Sequence, residues 1–222
     1  MCGRYTLKET KPEKFTRKYG PFHGLEKPRY NRAPGQAHPI IIDRGNRHIW
    51  TSMQWGSNQS QKNPEGKFFP INARSETVTE KEIFSDSIRQ SRCLIPADGW
   101  FEWQQVESQK YPFYHQLLKP DTFAIGGIWL DTGQDESCAF SLLTRSASPD
   151  ILHIHHRAPL IIPRELWTSW MRPDINESEL QDIIKVKQPE INTFQVSSRV
   201  NSSRNDGPEL LLPTTGKQAL LF

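Results

Sequence analysis

The stretch Cys93-Leu-Ile-Pro-Ala-Asp-Gly-Trp-Phe-Glu-Trp-Gln-Gln105 contains two short runs of apolar and aromatic residues separated by an Ala-Asp-Gly turn. Similar runs follow at Tyr111–Leu118, Phe123–Leu130 and Ser137–Thr144. β-branched and aromatic residues favour strands, and turn residues between the runs favour antiparallel neighbours. The centre of the chain is therefore predicted to form a curved antiparallel sheet or a barrel-like core.

Helices are predicted around this centre, and the fold class is therefore α+β. Capping and periodicity place the helices at residues 10–19 (capped by Thr10), 80–91, 163–171 and 176–185 (capped by Asn176). The flanking strands are predicted at residues 3–7, 39–42, 47–55 and 194–199, with loops at 21–37 and 56–66. A single domain is expected over residues 1–212, followed by a tail over residues 213–222.

The composition is that of an ordinary globular protein of 222 residues. No apolar run approaches the roughly 18–20 residues that cross a membrane, and no secretory signal is visible, so a cytoplasmic protein is expected. The three cysteines are far apart, which argues against a disulfide framework. The net charge of 28 − 25 = +3 allows a nucleic-acid partner without requiring one.

A cysteine directly follows the initiator methionine in Met1-Cys2-Gly3-Arg4. Removal of Met1 would leave a free α-amine and a thiol on adjacent carbons of Cys2. The amine has an ordinary pKa of about 7.7–8.0 and the thiol about 8.5, so both are partly nucleophilic at neutral pH. Such an aminothiol condenses with an aldehyde to an imine and then closes a thiazolidine ring. Many chains begin with Met-Cys by chance, and position alone also fits an inert cysteine.

Glu102 lies between bulky aromatic residues in Trp100-Phe-Glu-Trp103. In a strand, Trp100 and Glu102 point to the same side. If that side is enclosed, burial raises the pKa of Glu102 and makes it an acid or base near neutrality. A glutamate on an exposed edge strand is the alternative.

His153-Ile-His-His156, followed by Arg157, is a second cluster suited to proton transfer. Solvated loop histidines are the plainer interpretation. A metal site that joins these histidines to Cys2 is disfavoured because no zinc-type ligand spacing is present. No metal and no cofactor are expected.

Asn72 can orient a reacting group through its two donors and one acceptor. Arg4, Arg74 and Arg157 each lie near a candidate reactive residue in the sequence, and Arg199 lies in Ser197-Ser-Arg199. Several guanidinium groups around one site suit phosphate, although arginines are also common on surfaces.

Taken in order, these segments resemble the SOS response-associated peptidase family. The resemblance runs from residue 2 to about residue 212 and is carried by Met1-Cys-Gly-Arg4, Tyr30-Asn-Arg-Ala-Pro34, Gln54-Trp-Gly56, Ile71-Asn-Ala-Arg-Ser-Glu76, Cys93 to Trp103, His155-His-Arg-Ala-Pro159 and Val196–Arg199.

The resemblance implies a sensor and shield for abasic sites in single-stranded DNA. Cys2 would join the ring-opened abasic sugar as a thiazolidine. Asn72 would position Cys2, Glu102 would move protons during ring opening and reversal, and His155 would assist at the sugar oxygen. The arginines would hold flanking phosphates: Arg4, Arg74, Arg157 and, near the end of the chain, Arg199. A monomer located on damaged DNA in the nucleoid is expected.

The sequence departs from the family pattern in two places. The family usually has Asp after the motif histidine, where this chain has His156, which affects the hydrogen bonding expected for His155. The polar segment Ser57–Asn63 replaces an apolar loop that packs against DNA in the family, so wedging by this loop is not expected.

Two other functions remain open at this point. One is a self-processing thiol peptidase that uses Cys2, His155 and Asn72. Only Met1 precedes Cys2, so self-cleavage would release a single residue. The other is a non-enzymatic DNA-binding module in which Cys2 is incidental.

Overall fold

Strands form the centre of the molecule, as the apolar runs predict. The computed structural model describes residues 2–22, 27–45, 47–56, 69–131 and 138–214. The strands in this part are β1 (Arg4–Leu7), β2 (Arg29–Arg32), β3 (Ala37–Asp43), β4 (His48–Trp55), β5 (Asn72–Arg74), β6 (Arg92–Ala97), β7 (Gly99–Val106), β8 (Gln109–Leu117), β9 (Phe123–Asp131), β10 (Cys138–Ser146), β11 (Arg157–Pro159), β12 (Ile161–Ile162) and β13 (Ile191–Gln195). The α-helices there are α1 (Glu13–Tyr19), α2 (Glu82–Gln90), α3 (Trp167–Met171) and α4 (Glu177–Ile184).

Five strands close into a barrel, in the order β4, β3, β6, β9 and β10, with β10 pairing back to β4. The predicted barrel-like core is thereby confirmed. The strands of the predicted centre pair antiparallel wherever they pair with one another, and β10 also runs parallel to β4 and β5, which lie outside that centre. The short strands β5, β11 and β12 extend the barrel at its margins.

A second, antiparallel sheet has the order β13, β8, β7, β1 and β2. Its inner face packs on the barrel through Tyr5 and Trp100, which join Ile95 and Phe123 in one buried cluster. Cys2 belongs to the same cluster. The start of the chain is therefore held between the sheet and the barrel.

The four α-helices cover another side of the barrel. Phe15 of α1, Ile88 of α2, Trp170 of α3 and Ile183 of α4 share one apolar core with barrel residues. This burial supplies most of the helices' stabilisation, because helices of five to nine residues are too short to persist alone.

The outer face of the second sheet is covered by the chain after β13. Phe101 and Tyr114 pack there against Val196 and Val200. A Cβ on Gly99 would lie 2.1 Å from the Tyr114 hydroxyl oxygen, so only glycine lets β7 begin beside this ring. The covering segment includes a 3-10 helix at Ser198–Asn201 that brings Asn201 to Trp103 of β7.

Several local predictions are confirmed and others need correction. Asn176 caps α4 through a capping box with Glu179, as predicted. The first helix begins at Glu13 after Pro12, and Thr10 does not cap it.

The predicted last strand at residues 194–199 is shifted, because the strand ends at Gln195 and a 3-10 helix begins at Ser198. Residues 29–32 form β2 within the predicted loop.

Some expectations fall on parts of the chain that the structure does not describe. These are nearly all of the predicted loop at residues 56–66, and residues 215–222 of the predicted tail. The first two residues of that tail are described: Pro213 bridges to Val196, and the Thr214 amide donates to the Gln195 carbonyl.

No helix in the described ranges has the length and apolar character needed to span a membrane. Within the same ranges, no group of three His, Cys, Asp or Glu side chains could hold a metal ion.

Candidate functional site

Cys2 is fully buried just before β1, and Asn72 fixes its backbone. The Asn72 side-chain amide Nδ2 donates a 2.8 Å hydrogen bond to the Cys2 carbonyl oxygen. Asn72 opens β5, where it lies opposite Leu142 of the barrel strand β10. The barrel therefore holds the first residues of the chain in place.

Glu102 is buried beside Cys2 on the inner face of β7. It is 2% exposed, and the neighbouring Trp100 on the same face is 1% exposed. Burial raises the pKa of Glu102 to about 7. The enclosed carboxyl predicted from the Trp-Phe-Glu-Trp pattern is therefore present, and it can both give and take a proton near neutral pH.

The Cys2 thiol is held in its neutral form. Burial raises its pKa well above the ordinary value, and the nearby negative charge of Glu102 raises it further. The thiol lies 3.8 Å from the Arg4 carbonyl oxygen, to which it can donate. A peptidase cysteine needs the opposite shift, toward the thiolate.

His155 approaches Glu102 from the turn before β11, with Nδ1 3.8 Å from the Glu102 Oε2. Nδ1 lies 3.0 Å from the Arg157 backbone nitrogen, which can only donate, so Nδ1 is the acceptor there. The Arg157 carbonyl oxygen, 3.2 Å from Nδ1, is therefore not its partner. Burial lowers the pKa of His155 to about 4, so the ring is neutral at pH 7 and carries its proton on Nε2.

His156 does not supply the hydrogen bond that sets this tautomer. Its ring stacks on that of His155, with centroids 4.4 Å apart. The tautomer is instead set by the Arg157 backbone, so the departure from the family pattern at His156 leaves the His155 proton on Nε2.

A cleft of about 560 Å³ opens over these residues. Its lining consists of Arg4, Glu102, Trp103, Gln105, Lys110, His155 and Asn201. Arg4 is partly buried and donates through one guanidinium nitrogen to the Gly3 carbonyl at 2.7 Å. The cleft therefore combines a buried carboxyl and an imidazole with a guanidinium group at its wall.

The predicted phosphate-binding arginines are placed differently from one another. Arg74 is exposed on the same side of β5 as Asn72, and no partner of its side chain is seen among the described residues. The Arg199 side chain is 59% exposed and lies 3.3 Å from Glu209.

Arg157 is directed inward, away from the cleft. Its side chain is 8% exposed, and the two terminal nitrogens bind the two Glu76 carboxylate oxygens at 2.8 and 2.7 Å. One of them also donates to the Thr144 carbonyl at 2.6 Å. Burial raises the pKa of Glu76, but the hydrogen bonds and charge of Arg157 outweigh it and lower the pKa to about 2. The expected phosphate contact of Arg157 has no support in this geometry.

The structure thus gathers Cys2, Asn72 and Glu102 with His155, and it adds residues that the sequence analysis missed. Trp103 and Asn201 line the cleft, and Glu76 holds Arg157. The motif Ile71-Asn-Ala-Arg-Ser-Glu76 already contained Glu76, and the aromatic run contained Trp103. Asn201 had no comparable signal.

The chain is similar to known proteins in both sequence and fold. A family model described as SOS response associated peptidase (SRAP) matches residues 1–203. The chain is 30% identical over 226 residues to "Abasic site processing protein YoqW" of Bacillus subtilis, covering 95% of this chain and 99% of that protein. It is 29% identical over 229 residues to "Abasic site processing protein YedK" of Escherichia coli, covering 96% and 100%.

More distant similarities extend to an animal protein and to solved structures. The chain is 27% identical over 228 residues to "Abasic site processing protein HMCES" of Gallus gallus, covering 86% of this chain and 67% of that protein. A crystal structure of a Bacteroides thetaiotaomicron protein superimposes with a TM-score of 0.79 at 20% identity, covering 96% of this chain and 100% of that one. This last match shows a shared fold.

Proposed function

Because the chain belongs to the SOS response-associated peptidase family, we propose that it captures abasic sites in single-stranded DNA through Cys2. The observation that carries the proposal is a buried carboxyl, Glu102, with a pKa of about 7 beside a cysteine that Asn72 holds in place. All four proposed reacting and positioning residues come from one chain, so a monomer suffices.

The chemistry begins with removal of Met1, which gives Cys2 a free α-amine. The ring-opened abasic sugar presents an aldehyde. The amine attacks the aldehyde carbon, a C=N bond forms, and the aldehyde oxygen leaves as water. The thiol sulfur then adds to the same carbon, a C–S bond forms, and the thiol proton passes to the nitrogen. The product is a thiazolidine that links protein and DNA.

Glu102 serves as the proton carrier of this sequence. A carboxyl with a pKa of about 7 is present in both forms at neutral pH, so it can protonate the sugar ring oxygen and accept a proton from the amine. The same carboxyl would act in the reverse direction when the crosslink opens. A buried neutral thiol suits the final step, because the sulfur adds to an imine already attached to the same residue.

His155 and Asn72 assist at fixed positions. The neutral His155 ring offers its Nε2–H as a donor to a sugar oxygen, since Nδ1 is occupied by the Arg157 amide. Asn72 holds the Cys2 carbonyl, and therefore the amine and thiol of the same residue, in reach of the sugar.

Arg4 and Arg74 are the proposed phosphate contacts nearest the reacting residues, and Arg199 is a more distant one. Arg74 is exposed and Arg4 lines the cleft, so both can meet a DNA backbone. Arg157 acts instead by holding the loop that carries His155. On damaged DNA, the protein would work in the nucleoid.

A denaturing gel tests the proposal directly. Wild-type protein lacking Met1 is incubated with a single-stranded oligonucleotide bearing one abasic site, beside Cys2→Ala, Cys2→Ser and a form that retains Met1. We expect a slowly migrating band for the wild type alone. A band of equal intensity from Cys2→Ala or from the Met1-retaining form would exclude capture by the aminothiol. A thiol peptidase that uses only the sulfur would keep its activity when the Cys2 amine is blocked. A non-enzymatic DNA-binding module would give no slowly migrating band with any form of the protein.

A further inference from the structure

Strand β13 is the last strand on one side of the second sheet, and its outer edge is open. In the described part of the chain, the only strand that pairs with β13 is β8. Backbone bonds to β8 are made by Glu190 at one end of this stretch and by Val196 at the other. Because bonding direction alternates along a strand, the backbone groups of Ile191 and Thr193 point away from β8. Such an edge can accept another strand.

The chain after residue 212 comes to this open edge. Val196 forms an antiparallel bridge with Pro213, and the Thr214 amide donates to the Gln195 carbonyl at 3.0 Å. The Gln195 carbonyl points away from β8, in the same direction as the backbone groups of the open edge. Two residues have therefore already begun a pairing that the rest of the chain can extend.

The register of these two contacts places the later residues. In an antiparallel pair one strand advances as the other goes back, so continued pairing puts Gln218 opposite Ile191 and Leu220 opposite Pro189. Pro189 lies six residues before Gln195, or about 20 Å along extended chain. The eight residues 215–222 span about 27 Å when extended, so they reach this point.

An apolar groove of about 280 Å³ lies where β13 begins. Leu117 of β8, the cross-strand partner of Ile191, lines this groove, and so does Pro189. The other apolar walls come from β9, β12 and the start of α3: Phe123, Ile161, Ile162 and Trp167. The groove therefore joins the second sheet to the barrel and its helices, next to the open edge.

The groove lies on the side of the sheet that faces the barrel. Ile191 packs against the cluster between sheet and barrel, whereas Phe194 packs on the outer face. Opposite residues of an antiparallel pair share a face, and so do residues two apart. Continued pairing therefore turns Leu220 and Phe222 toward the groove, and it turns Leu221 toward the outer face.

The charges fit this placement. Lysine 217 is the only residue with a charged side chain among residues 215–222. The pairing puts Lys217 opposite Asn192 on the outer face, away from the basic residues that line the groove: Lys14, Arg164 and Lys187. The groove therefore receives only apolar side chains from this segment.

We propose that residues 215–222 add a strand to the open edge of β13 and seat Leu220 and Phe222 in the apolar groove. The proposal does not depend on abasic-site capture. The added strand covers an edge that could otherwise pair with other chains. It also fastens the second sheet to the barrel, because the groove has walls from both.

A pair of introduced cysteines tests the register. Asn192→Cys and Lys217→Cys stand directly opposite each other at a non-hydrogen-bonded pair, where Cα atoms are about 4.5 Å apart and a disulfide can form. Mild oxidation should join them within one chain, as peptide mapping by mass spectrometry would show. Asn192→Cys with Gln218→Cys is the matched control and should give little product, because neighbouring residues point to opposite faces. Equal yields from the two pairs, or a disulfide between two chains, would overturn the proposal.

Amide hydrogen exchange read by NMR tests the added strand. In the full chain the amides of Ile191 and Thr193 should be protected, and removal of residues 215–222 should speed their exchange by about tenfold or more. The amides of Asn192 and Phe194 point to β8 and should change little, so they are the internal control. Fast exchange of Ile191 and Thr193 in the full chain would contradict the added strand.

Two neighbouring substitutions test the groove. Leu220→Asp should lower the unfolding temperature by about 2–4 °C, because a carboxylate cannot be buried among apolar walls and the segment is released. Leu221→Asp is the same change on the outer face and should have little effect. Equal effects of the two variants would reject the seating of Leu220. None of these measurements uses DNA, so their outcome is separate from that of the capture assay.

Discussion

Asn72 and Cys2, separated by 70 positions in the chain, are joined by a 2.8 Å hydrogen bond from the side-chain amide to the carbonyl oxygen. The bond links the first residue of β5 to the residue just before β1. It fixes the first residues of the chain against the barrel, with Glu102 close to Cys2.

Replacing Asn72 should slow capture without unfolding the protein. Asn72→Ala loses the bond to Cys2, and small misplacements of reacting groups cost up to roughly 10²-fold in rate. Asn72→Asp keeps the shape but not the amide donor, and it should be similarly slow. Single-turnover crosslinking at saturating DNA measures the rate, and thermal unfolding checks the fold. A wild-type rate in both variants would remove Asn72 from the mechanism.

Glu102→Gln should slow both formation and reversal of the crosslink, by roughly 10²–10⁴-fold if the carboxyl carries the protons.

A plot of the wild-type rate of crosslink formation against pH should be bell-shaped. The rising limb comes from deprotonation of the Cys2 amine, with an ordinary pKa of about 7.7–8.0. The falling limb comes from deprotonation of Glu102, whose pKa is about 7. In Glu102→Gln the falling limb should disappear; its persistence would assign that limb to another group.

Ionisation of the Glu102 carboxyl should lower the free energy of unfolding at alkaline pH. Its pKa is raised to about 7 by burial, so between about pH 4.5 and 7 the folded state holds a proton that the unfolded state has lost. The contribution to stability is complete below pH 4.5 and is lost as the pH rises through 7. Glu102→Gln should therefore gain stability relative to wild type at pH 8 by an amount on the order of 3 kcal/mol, and little at pH 5.

Urea unfolding at the two pH values measures this difference. Glu107→Gln, at an exposed position in the turn of the same hairpin, is the control and should show no such pH dependence. Equal stability of Glu102→Gln and wild type at both pH values would mean that the carboxyl is not buried as the structure has it.

Arg74 and Arg157 should respond differently to salt. Arg74→Ala should weaken binding to single strands and lower the salt slope by about 0.7, as expected for one lost phosphate contact. Arg157→Gln should leave the slope unchanged and lower the unfolding temperature, because a neutral amide cannot form the two-pronged ion pair with Glu76. An unchanged slope in Arg74→Ala, or a reduced slope in Arg157→Gln, would reverse the two assignments.

Local sequence signals predicted much of this structure. The Asn176 and Glu179 pair specifies the start of α4 because both capping bonds lie within four residues. The two-residue alternation of β7 placed Trp100 and Glu102 on one face. The barrel encloses this face of β7 through contacts between residues far apart in the chain. The run Trp100–Trp103 alone therefore could not show that Glu102 is buried.

Contacts between residues far apart in the chain account for what local sequence signals did not predict. The parallel neighbours of β10 are set by how the barrel closes, since a strand has the same side-chain period in either pairing. The contact of Arg157 with Glu76, 81 positions away in the chain, was likewise not visible in the local sequence around Arg157. Near residue 197, the Ser197 hydroxyl accepts from the Arg199 amide, a local bond that competes with strand pairing.

The central claim is that one sugar carbon is bound by both the amine and the thiol of Cys2. Mass spectrometry of the tryptic peptide spanning Cys2 to Arg4, taken from the crosslinked protein, tests it most directly. The account predicts a peptide that carries the sugar, has lost one water relative to its parts, resists borohydride and has no thiol to alkylate. A sugar-bearing peptide whose thiol can still be alkylated, or a sugar attached elsewhere in the chain, would contradict it.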